Sequence, residues 1–474
     1  MGQFEWHPLA MAAATTTAWV VIATGLLQIF FYLVQLVFAA ISLTKRPPVV
    51  RSSMLWCRYA EQAPPIAVLA PAYNEEVTIV ESVSSLLALH YPDFEVVVIN
   101  DGSSDGTLQR LIDYFSVTPV NRYHDLTMTH QPIRAVYANP RIPRLLIVDK
   151  ENGGKSDALN AGINVARAPL FCSIDADSLL ESDALLRAVR PFVENPDKVV
   201  AVGGTIRLAN GSRIAGGRVE KVCLPRNFLA LVQIIEYLRA FLMARLALSH
   251  MQALTVISGA FGLFRRRLVL EVGGYSHGTV GEDMELVVKL HRHMRDLKRP
   301  YRIEFIPEPV CWTEAPEDLT ILGRQRARWQ RGALETFAKH RDMLFNPRYG
   351  RIGFLGFGQV LVVDVLGPII EVIGYVLIPL LWAVGLLSLQ YLLAFLAITF
   401  TFGIFLSVAT LILEEVELRR FPHASDLVAL TLVAVVENFG YRQLSNVWRL
   451  RGLWQFLRKH QGWGQMTRKG FQTA

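Results

Sequence analysis

Two carboxylates, Asp175 and Asp177, stand two residues apart directly after the apolar stretch 170–174. Side chains at i and i+2 leave a strand on one face, and two like charges held there repel unless a cation lies between them. Mg2+ or Mn2+ suits such a pair, because these ions take one or two carboxylates and complete an octahedron with diphosphate oxygens and water. A solvated acidic turn ahead of the helical pattern near Glu181 is the plainer use of the same residues. Asp101 opens the string Asp101-Gly102-Ser103-Ser104-Asp105-Gly106, where small residues let backbone approach a ligand and the carboxylate can hydrogen-bond a base or ribose. Alone, that string is an ordinary turn. Asn152-Gly153-Gly154-Lys155 leads into a helical segment at 156–166, where backbone N–H groups, the helix dipole and a lysine suit a phosphate. It lacks the P-loop pattern and implies no ATP hydrolysis. Glu282-Asp283 begins a helical pattern at 284–294; acids cap helices anyway, and a carboxylate there can also take a proton from an acceptor hydroxyl. In the helical stretch 318–339, Gln325 can only hydrogen-bond, Arg328 can clamp a diphosphate, and Trp329 offers the flat apolar face on which sugar rings stack. By itself that segment reads as a basic amphipathic helix on a membrane.

These clusters need a frame that brings strand ends together. Between 66 and about 204, apolar stretches at 66–70, 94–99, 145–148, 170–174 and 199–202 end in polar or glycine-rich turns, with segments of helical period between several of them. That alternation predicts an α/β fold, a mainly parallel Rossmann-like sheet covered by helices. Ligands of such sheets lie outside the carboxyl ends of the strands, and each early cluster falls at such an end.

With 52% hydrophobic and 19% charged residues, the chain is more apolar than a purely soluble protein. The uncharged run 18–43 can cross a bilayer with some tilt and lacks the basic flank and cleavage site of a signal peptide. Lys45, Arg46 and Arg51 follow it, so the N-terminus is expected outside and the next domain in the cytosol. Pro47, Pro48, Pro64 and Pro65 bracket a short linker. Further apolar runs cover 357–387, 391–413 and 427–435. The first contains Gly367-Pro368 and is too long for one straight span, which predicts a kink or an interfacial segment. Glu414, Glu415, Arg419 and Arg420 mark a cytosolic return. The basic residues Arg449, Arg451, Arg458, Lys459, Arg468 and Lys469 argue for a cytosolic C-terminus, which three runs after the central domain do not deliver. The net charge of +7 does not indicate nucleic acid, since no Lys/Arg-rich tract with interleaved aromatics occurs in the soluble part. Cys57, Cys172, Cys223 and Cys311 form no CxxC pair and read as reduced, packed thiols.

Taken in order, Pro71-Ala72-Tyr73-Asn74-Glu75-Glu76, Asn100-Asp101-Gly102-Ser103, Asp175-Ala176-Asp177, Gly281-Glu282-Asp283 and Gln325-Arg326-Ala327-Arg328-Trp329 resemble the processive family 2 glycosyltransferases. These are the hyaluronan, cellulose, chitin and poly-N-acetylglucosamine synthases. Lys155-Ser156-Asp157-Ala158-Leu159-Asn160 and Ser258-Gly259-Ala260-Phe261 share the resemblance, which covers about 66–345. It implies a GT-A fold, a UDP-sugar donor (UDP-GlcNAc or UDP-glucose), a divalent metal and inversion to a β-linkage. It also implies Tyr73, Glu75 and Asp101 at the uridine and Lys155 at the diphosphate. Asp177 would be the principal metal ligand with Asp175 beside it, Asp283 the base, and Gln325, Arg328 and Trp329 would bind the diphosphate and acceptor sugar. The base motif reads Gly-Glu-Asp, against Thr-Glu-Asp in cellulose synthases and Gly-Asp-Asp in hyaluronan synthases, which leaves the sugar open.

The expected protein is a multi-pass plasma (inner) membrane synthase. It has an N-terminal transmembrane helix (1–45), a cytosolic GT-A domain with interfacial helices (46–345), and a C-terminal transmembrane bundle with a basic amphipathic tail (346–474). It would extend a growing glycan and help to export it, with charges such as Glu437 and Arg442 at membrane depth marking the glycan path. A small membrane subunit or a second copy of the chain is the kind of partner the resemblance allows, beside the lipid bilayer. Transfer of a single sugar to a lipid carrier or glycolipid is the alternative, although such relatives usually lack the Gln-x-x-Arg-Trp motif. A non-catalytic member of an export complex is a second alternative, against which the intact Asp175, Asp177, Asp283 and Arg328 speak.

Overall fold

The computed structural model of the protein describes residues 6–45, 52–175, 178–418 and 423–459. Asp177, Pro47, Pro48, Arg46, Arg51, Arg419, Arg420, Arg468 and Lys469 lie outside them. Along the chain the strands are β1 (Ile66–Ala72), β2 (Phe94–Asp101), β3 (Thr118–Pro119), β4 (Ile133–Ala138), β5 (Leu145–Lys150), β6 (Leu170–Ile174), β7 (Leu179–Leu180), β8 (Val199–Leu208), β9 (Arg213–Ala215), β10 (Arg218–Lys221), β11 (Phe261–Arg265) and β12 (Arg302–Thr313). β9 and β10 pair as a small hairpin, and the other ten form one sheet in the order β3-β4-β5-β2-β1-β6-β11-β8-β12-β7.

The centre, β5-β2-β1-β6, is parallel, with Ile66 opposite both Phe94 and Leu170. Its strands are near-continuous apolar runs, as Ile66-Ala67-Val68-Leu69 and Val96-Val97-Val98-Ile99 show, because they are buried on both faces. The chain steps from β1 outward through β2 to β5, then returns to lay β6 on the other side of β1. Strand order reverses there, and the crevice beyond the carboxyl ends at such a reversal is where α/β sheets hold ligands. Tyr73 follows β1 and Asp175 follows β6, so both border it.

The expected α/β architecture is present, but the sheet is mixed. β11 lies antiparallel between β6 and β8, β4 is antiparallel to β5, and β12 runs parallel to β8. β12 passes through Pro307 and Pro309, which remove ladder donors, and its register shifts there. A strand carrying two prolines has no readable period, so the sequence does not announce it.

Among the described residues three helices are long and apolar enough to cross a membrane: Met11–Thr44, Ile352–Ala383 and Leu389–Val416. The irregularity expected in the second takes the form of two π-helical stretches, Ile352–Gly356 and Val360–Leu366, ahead of Gly367-Pro368. Pro368 falls in the first turn of the α-helix Gly367–Ala383, where a missing N–H costs least. The third expected run, 427–435, lies in the helix Ala424–Val436, which meets Tyr441–Leu457 at a 60° bend. Phe228–Tyr237, the π-helical Leu238–Arg245, Leu246–His250 and Leu319–Lys339 pack between the sheet domain and these helices.

Candidate active site

After β1 the chain turns through Asn74 in a left-handed conformation (φ 56°) and is laced to the loop after β2. Asn74 Oδ1 accepts the Ser104 N–H at 2.8 Å, Ser103 Oγ accepts the Asn74 N–H at 3.1 Å, and Thr107 Oγ1 accepts the Glu75 N–H at 2.9 Å. The Glu75 carboxylate takes the Thr78 hydroxyl at 3.1 Å. Two loops thereby form one rim, from which Tyr73 projects 53% exposed.

Asp101, expected beside the uridine, has its carboxylate engaged by the protein. It is buried, with Oδ1 taking Lys150 Nζ at 2.5 Å and the Gly153 N–H at 3.1 Å, and Oδ2 taking the Gly154 N–H at 2.7 Å and Asn152 Nδ2 at 3.3 Å. Lys150, fully buried at the end of β5, also reaches Asp157 at 2.5 Å. A desolvated ammonium needs such counter-charges. Together they brace the turn that launches Lys155, so Asp101 acts on that turn rather than through an open oxygen.

Lys155 opens the helix Lys155–Val165. Its Nζ lies 2.5 Å from Asp175 Oδ1 and 3.5 Å from Glu282 Oε1. Burial works against the ammonium, yet Asp175 and Glu282, with Asp283, hold its pKa above the ordinary lysine value. Burial drives the Glu282 carboxyl above the usual carboxylate range, with Lys155 pulling it back and Asp283 pushing it further up. Asp283 stays half-buried: Oδ2 accepts the Gly259 N–H at 3.1 Å and Oδ1 the Met284 N–H at 2.8 Å. A Cβ at 259 would come 2.7 Å from Lys155 Nζ, so a larger residue there would push the ammonium aside. Lys155, Asp175 and Asp283 therefore meet, and Glu282 joins them. Asp177 lies outside the described residues.

The helix Leu319–Lys339 starts at Asp318, whose carboxylate accepts the Thr320 and Ile321 N–H groups at 2.8 and 3.0 Å. It crosses the turn before Asp283 so closely that a Cβ on Gly332 would lie 2.8 Å from Gly281 Cα. Gln325, Arg328 and Trp329 share one face at i, i+3 and i+4. Trp329 is 47% exposed, with the Tyr237 ring centroid 6.4 Å away and the Arg326 guanidinium 4.3 Å over its own ring. Arg326 is buried and paired with Glu236 at 2.5 Å, and Tyr441 donates to the same carboxylate at 2.9 Å. Gln325 turns its carbonyl to Arg326 at 3.0 Å, and Arg328 is half-buried and engaged by the protein. Arg326 thus anchors the tryptophan. Sequence reasoning passes over Lys150, Glu236 and Gly332. Lys150 carried a signal, a lysine closing an otherwise apolar strand, whereas Glu236 carried none.

A mixed α/β sheet with acidic groups and a lysine gathered at its switch point is the frame of a GT-A type glycosyltransferase. Residues 64–332 match the model described as "Glycosyltransferase like family 2", more than half of the chain, and the protein belongs to that family. It is 31% identical over 296 residues to a poly-β-1,6-N-acetyl-D-glucosamine synthase of Staphylococcus epidermidis, covering 62% of this chain and 60% of the relative. To the synthase of that name in Staphylococcus aureus it is 31% identical over 275 residues, covering 58% and 56%. The match thus spans about 60% of the length of these curated relatives. Among solved structures, a mannosyltransferase of Pyrobaculum calidifontis in complex with GDP-mannose and Mn2+ superposes with a TM-score of 0.56 at 19% identity, over 94% of this chain and 100% of that one. That likeness shows the shared fold.

Proposed function

We propose that the protein is a membrane-bound, inverting glycosyltransferase that polymerises a β-linked glycan from UDP-GlcNAc and passes the product into the membrane. The observation that carries this reading is the meeting of Lys155, Asp175, Glu282 and Asp283, with the Trp329 helix seated against the same turn through Gly281 and Gly332. The activity named for the staphylococcal relatives supports the choice of donor and product.

Tyr73 and Glu75 would border the uridine, while Lys155 and Arg328 bind the diphosphate. Asp283, oriented by the Gly259 and Met284 N–H groups, takes the proton of the acceptor hydroxyl. That oxygen bonds to the anomeric carbon from the face opposite UDP, the C1–O electron pair leaves with UDP, and the configuration inverts. Trp329 is the platform for the acceptor sugar. The residues fit Mg2+ or Mn2+: Asp175, its side chain 33% exposed, and Asp177 would hold the ion. Among the described residues, which leave out Asp177, no group of three or more His, Cys, Asp or Glu could hold a metal. When bound, the ion neutralises charge on the departing diphosphate.

Polar side chains continue from the platform helix into the bundle. Gln330, next to Trp329, accepts from Arg449 Nε at 2.9 Å and donates to the Asp364 carbonyl, and Arg449 pairs with Asp364 at 3.0 Å. Further along, Glu371 takes Asn446 Nδ2 at 2.7 Å, and Gln35 of the first span reaches Gln359 at 2.7 Å. Polar groups are costly at that depth and support a route for the product. Glu437, at the bend after Ala424–Val436, bonds Arg239 and Ser407, and Tyr441–Leu457 packs on Leu319–Lys339. Read as a re-entrant segment that returns to the side it entered, the bent pair would leave two full crossings after the catalytic domain, with both the domain and Lys459 facing the cytosol. A reporter placed after Lys459 is expected inside and an N-terminal tag outside. An extracellular reporter would make the bent pair a third crossing.

The purified chain, offered each UDP-sugar in turn while UDP release and product size are followed, tests the activity. UDP-GlcNAc is expected to yield long products. Trp329→Ala removes the platform and none of the donor contacts, so UDP affinity should hold while elongation falls by about tenfold or more and turnover shifts to donor hydrolysis. If the wild type adds one sugar per acceptor even in excess donor, and Trp329→Ala changes nothing, single transfer to a lipid or glycolipid replaces the polymer.

A further inference from the structure

Tyr237, Phe241 and Arg245 recur every four residues where Phe228–Tyr237 continues into Leu238–Arg245. Tyr237 stacks on Phe241 with centroids 5.2 Å apart, and the Arg245 guanidinium lies 3.8 Å over the Phe241 ring. At the other end of this ladder, Tyr237 neighbours Trp329 at 6.4 Å. The ladder leads from the sugar platform to a guanidinium that feels the Asp283 carboxylate.

Arg245 differs from the buried arginines around it. Arg326 has Glu236 and Arg207 has Glu414, whereas Arg245 has no ion pair among the described residues and its Nη1 is buried without a hydrogen-bond partner. Burial pulls its pKa down to about 10, with Asp283 pulling the other way. Leaving a buried donor unpaired is costly, and natural structures seldom do so without a reason. A ligand oxygen supplies that reason.

We propose that Arg245 is an acceptor-binding residue, whose unpaired Nη1 donates to an oxygen of the terminal sugar while that sugar rests near Trp329 and offers its hydroxyl to Asp283. The inference rests on the glycosyltransferase reading above. A contact with the donor diphosphate is the competing use of a guanidinium. Lys155 and Asp175 occupy the strand-end side of the site, while Arg245 shares its helix with Tyr237, the neighbour of Trp329, and this places it with the acceptor.

The test uses the full chain with UDP-GlcNAc and a β-1,6-linked N-acetylglucosamine oligosaccharide as acceptor. R245Q is expected to raise the acceptor KM by about tenfold or more while UDP affinity and acceptor-free hydrolysis of UDP-GlcNAc stay as they are. R245K should recover part of the loss. Because Arg245 makes no ion pair among the described residues, R245Q is expected to lower Tm only by the small loss of its contact with the Phe241 ring. A fall in UDP affinity would reassign Arg245 to the donor, a large fall in Tm with all constants shifted would make its role one of packing, and an unchanged acceptor KM would end the proposal. If the wild type transfers nothing from any UDP-sugar, the glycosyltransferase reading fails and this inference with it. If the wild type polymerises and R245Q matches it, only the inference fails.

Discussion

Asp283→Asn is expected to cut polymer formation by about 10²-fold or more and to leave UDP binding nearly intact. The amide oxygen can still accept the Gly259 and Met284 N–H groups that orient the carboxylate, so the turn keeps its shape. What is lost is the ability to take a proton. Polymer yield and UDP affinity, measured on the same preparation, separate these two contributions. Glu282 sharpens the comparison. It is buried beside Lys155, its carboxyl is raised by that burial, and Glu282→Gln removes a counter-charge from the lysine without touching the proposed base. The two variants should therefore differ, with Glu282→Gln weakening donor binding more than Asp283→Asn does. Near-normal turnover in Asp283→Asn would transfer the base role to Glu282.

Removal of divalent metal is expected to abolish transfer, to the level of Asp283→Asn or below, and Mg2+ or Mn2+ should restore it. Only oxygen ligands are available from Asp175 and Asp177, and such sites depend on the substrate diphosphate to complete the coordination shell. Asp177→Ala should match chelation. Asp175→Asn should do more than weaken metal binding, because Asp175 is also the nearest counter-ion of Lys155, at 2.5 Å. The lysine should then rest against Glu282 and be less available to the diphosphate, so added metal should rescue Asp175→Asn only in part. Full activity in EDTA, or zinc bound one to one, would remove the metal from the mechanism.

Much of the frame is legible along the chain. The buried parallel strands are short apolar runs ending in polar turns, and β1, β2, β5 and β6 lie where that pattern puts them. The helix Leu319–Lys339 fills the stretch 318–339 that reads as helical, and Asp318 caps it. Strands β11 and β12 are not legible. One mixes Gly262 and Arg265 into its apolar residues and the other carries Pro307 and Pro309, so neither reads as a buried apolar run, and only pairing with β6 and β8 makes them strands.

At the site the division is similar. Lys155, Asp175 and Asp283 could be singled out because each stands at an element end where its charge has few uses besides a ligand or a cap. Asp101 stands at such an end too, yet its carboxylate is enclosed by Lys150 and the Gly153-Gly154 backbone, partners about fifty residues away in the chain. The pairs Arg326–Glu236 and Gly281–Gly332 are likewise remote in sequence. By itself, then, the sequence determined which residues carry charge, where strands and helices end, and which runs are apolar enough for a membrane, since these depend on neighbours a few residues apart. Tertiary structure alone decided which charges face each other and which are left for a substrate. That choice depends on desolvation and on hydrogen-bond partners, which exist only once remote segments have packed together.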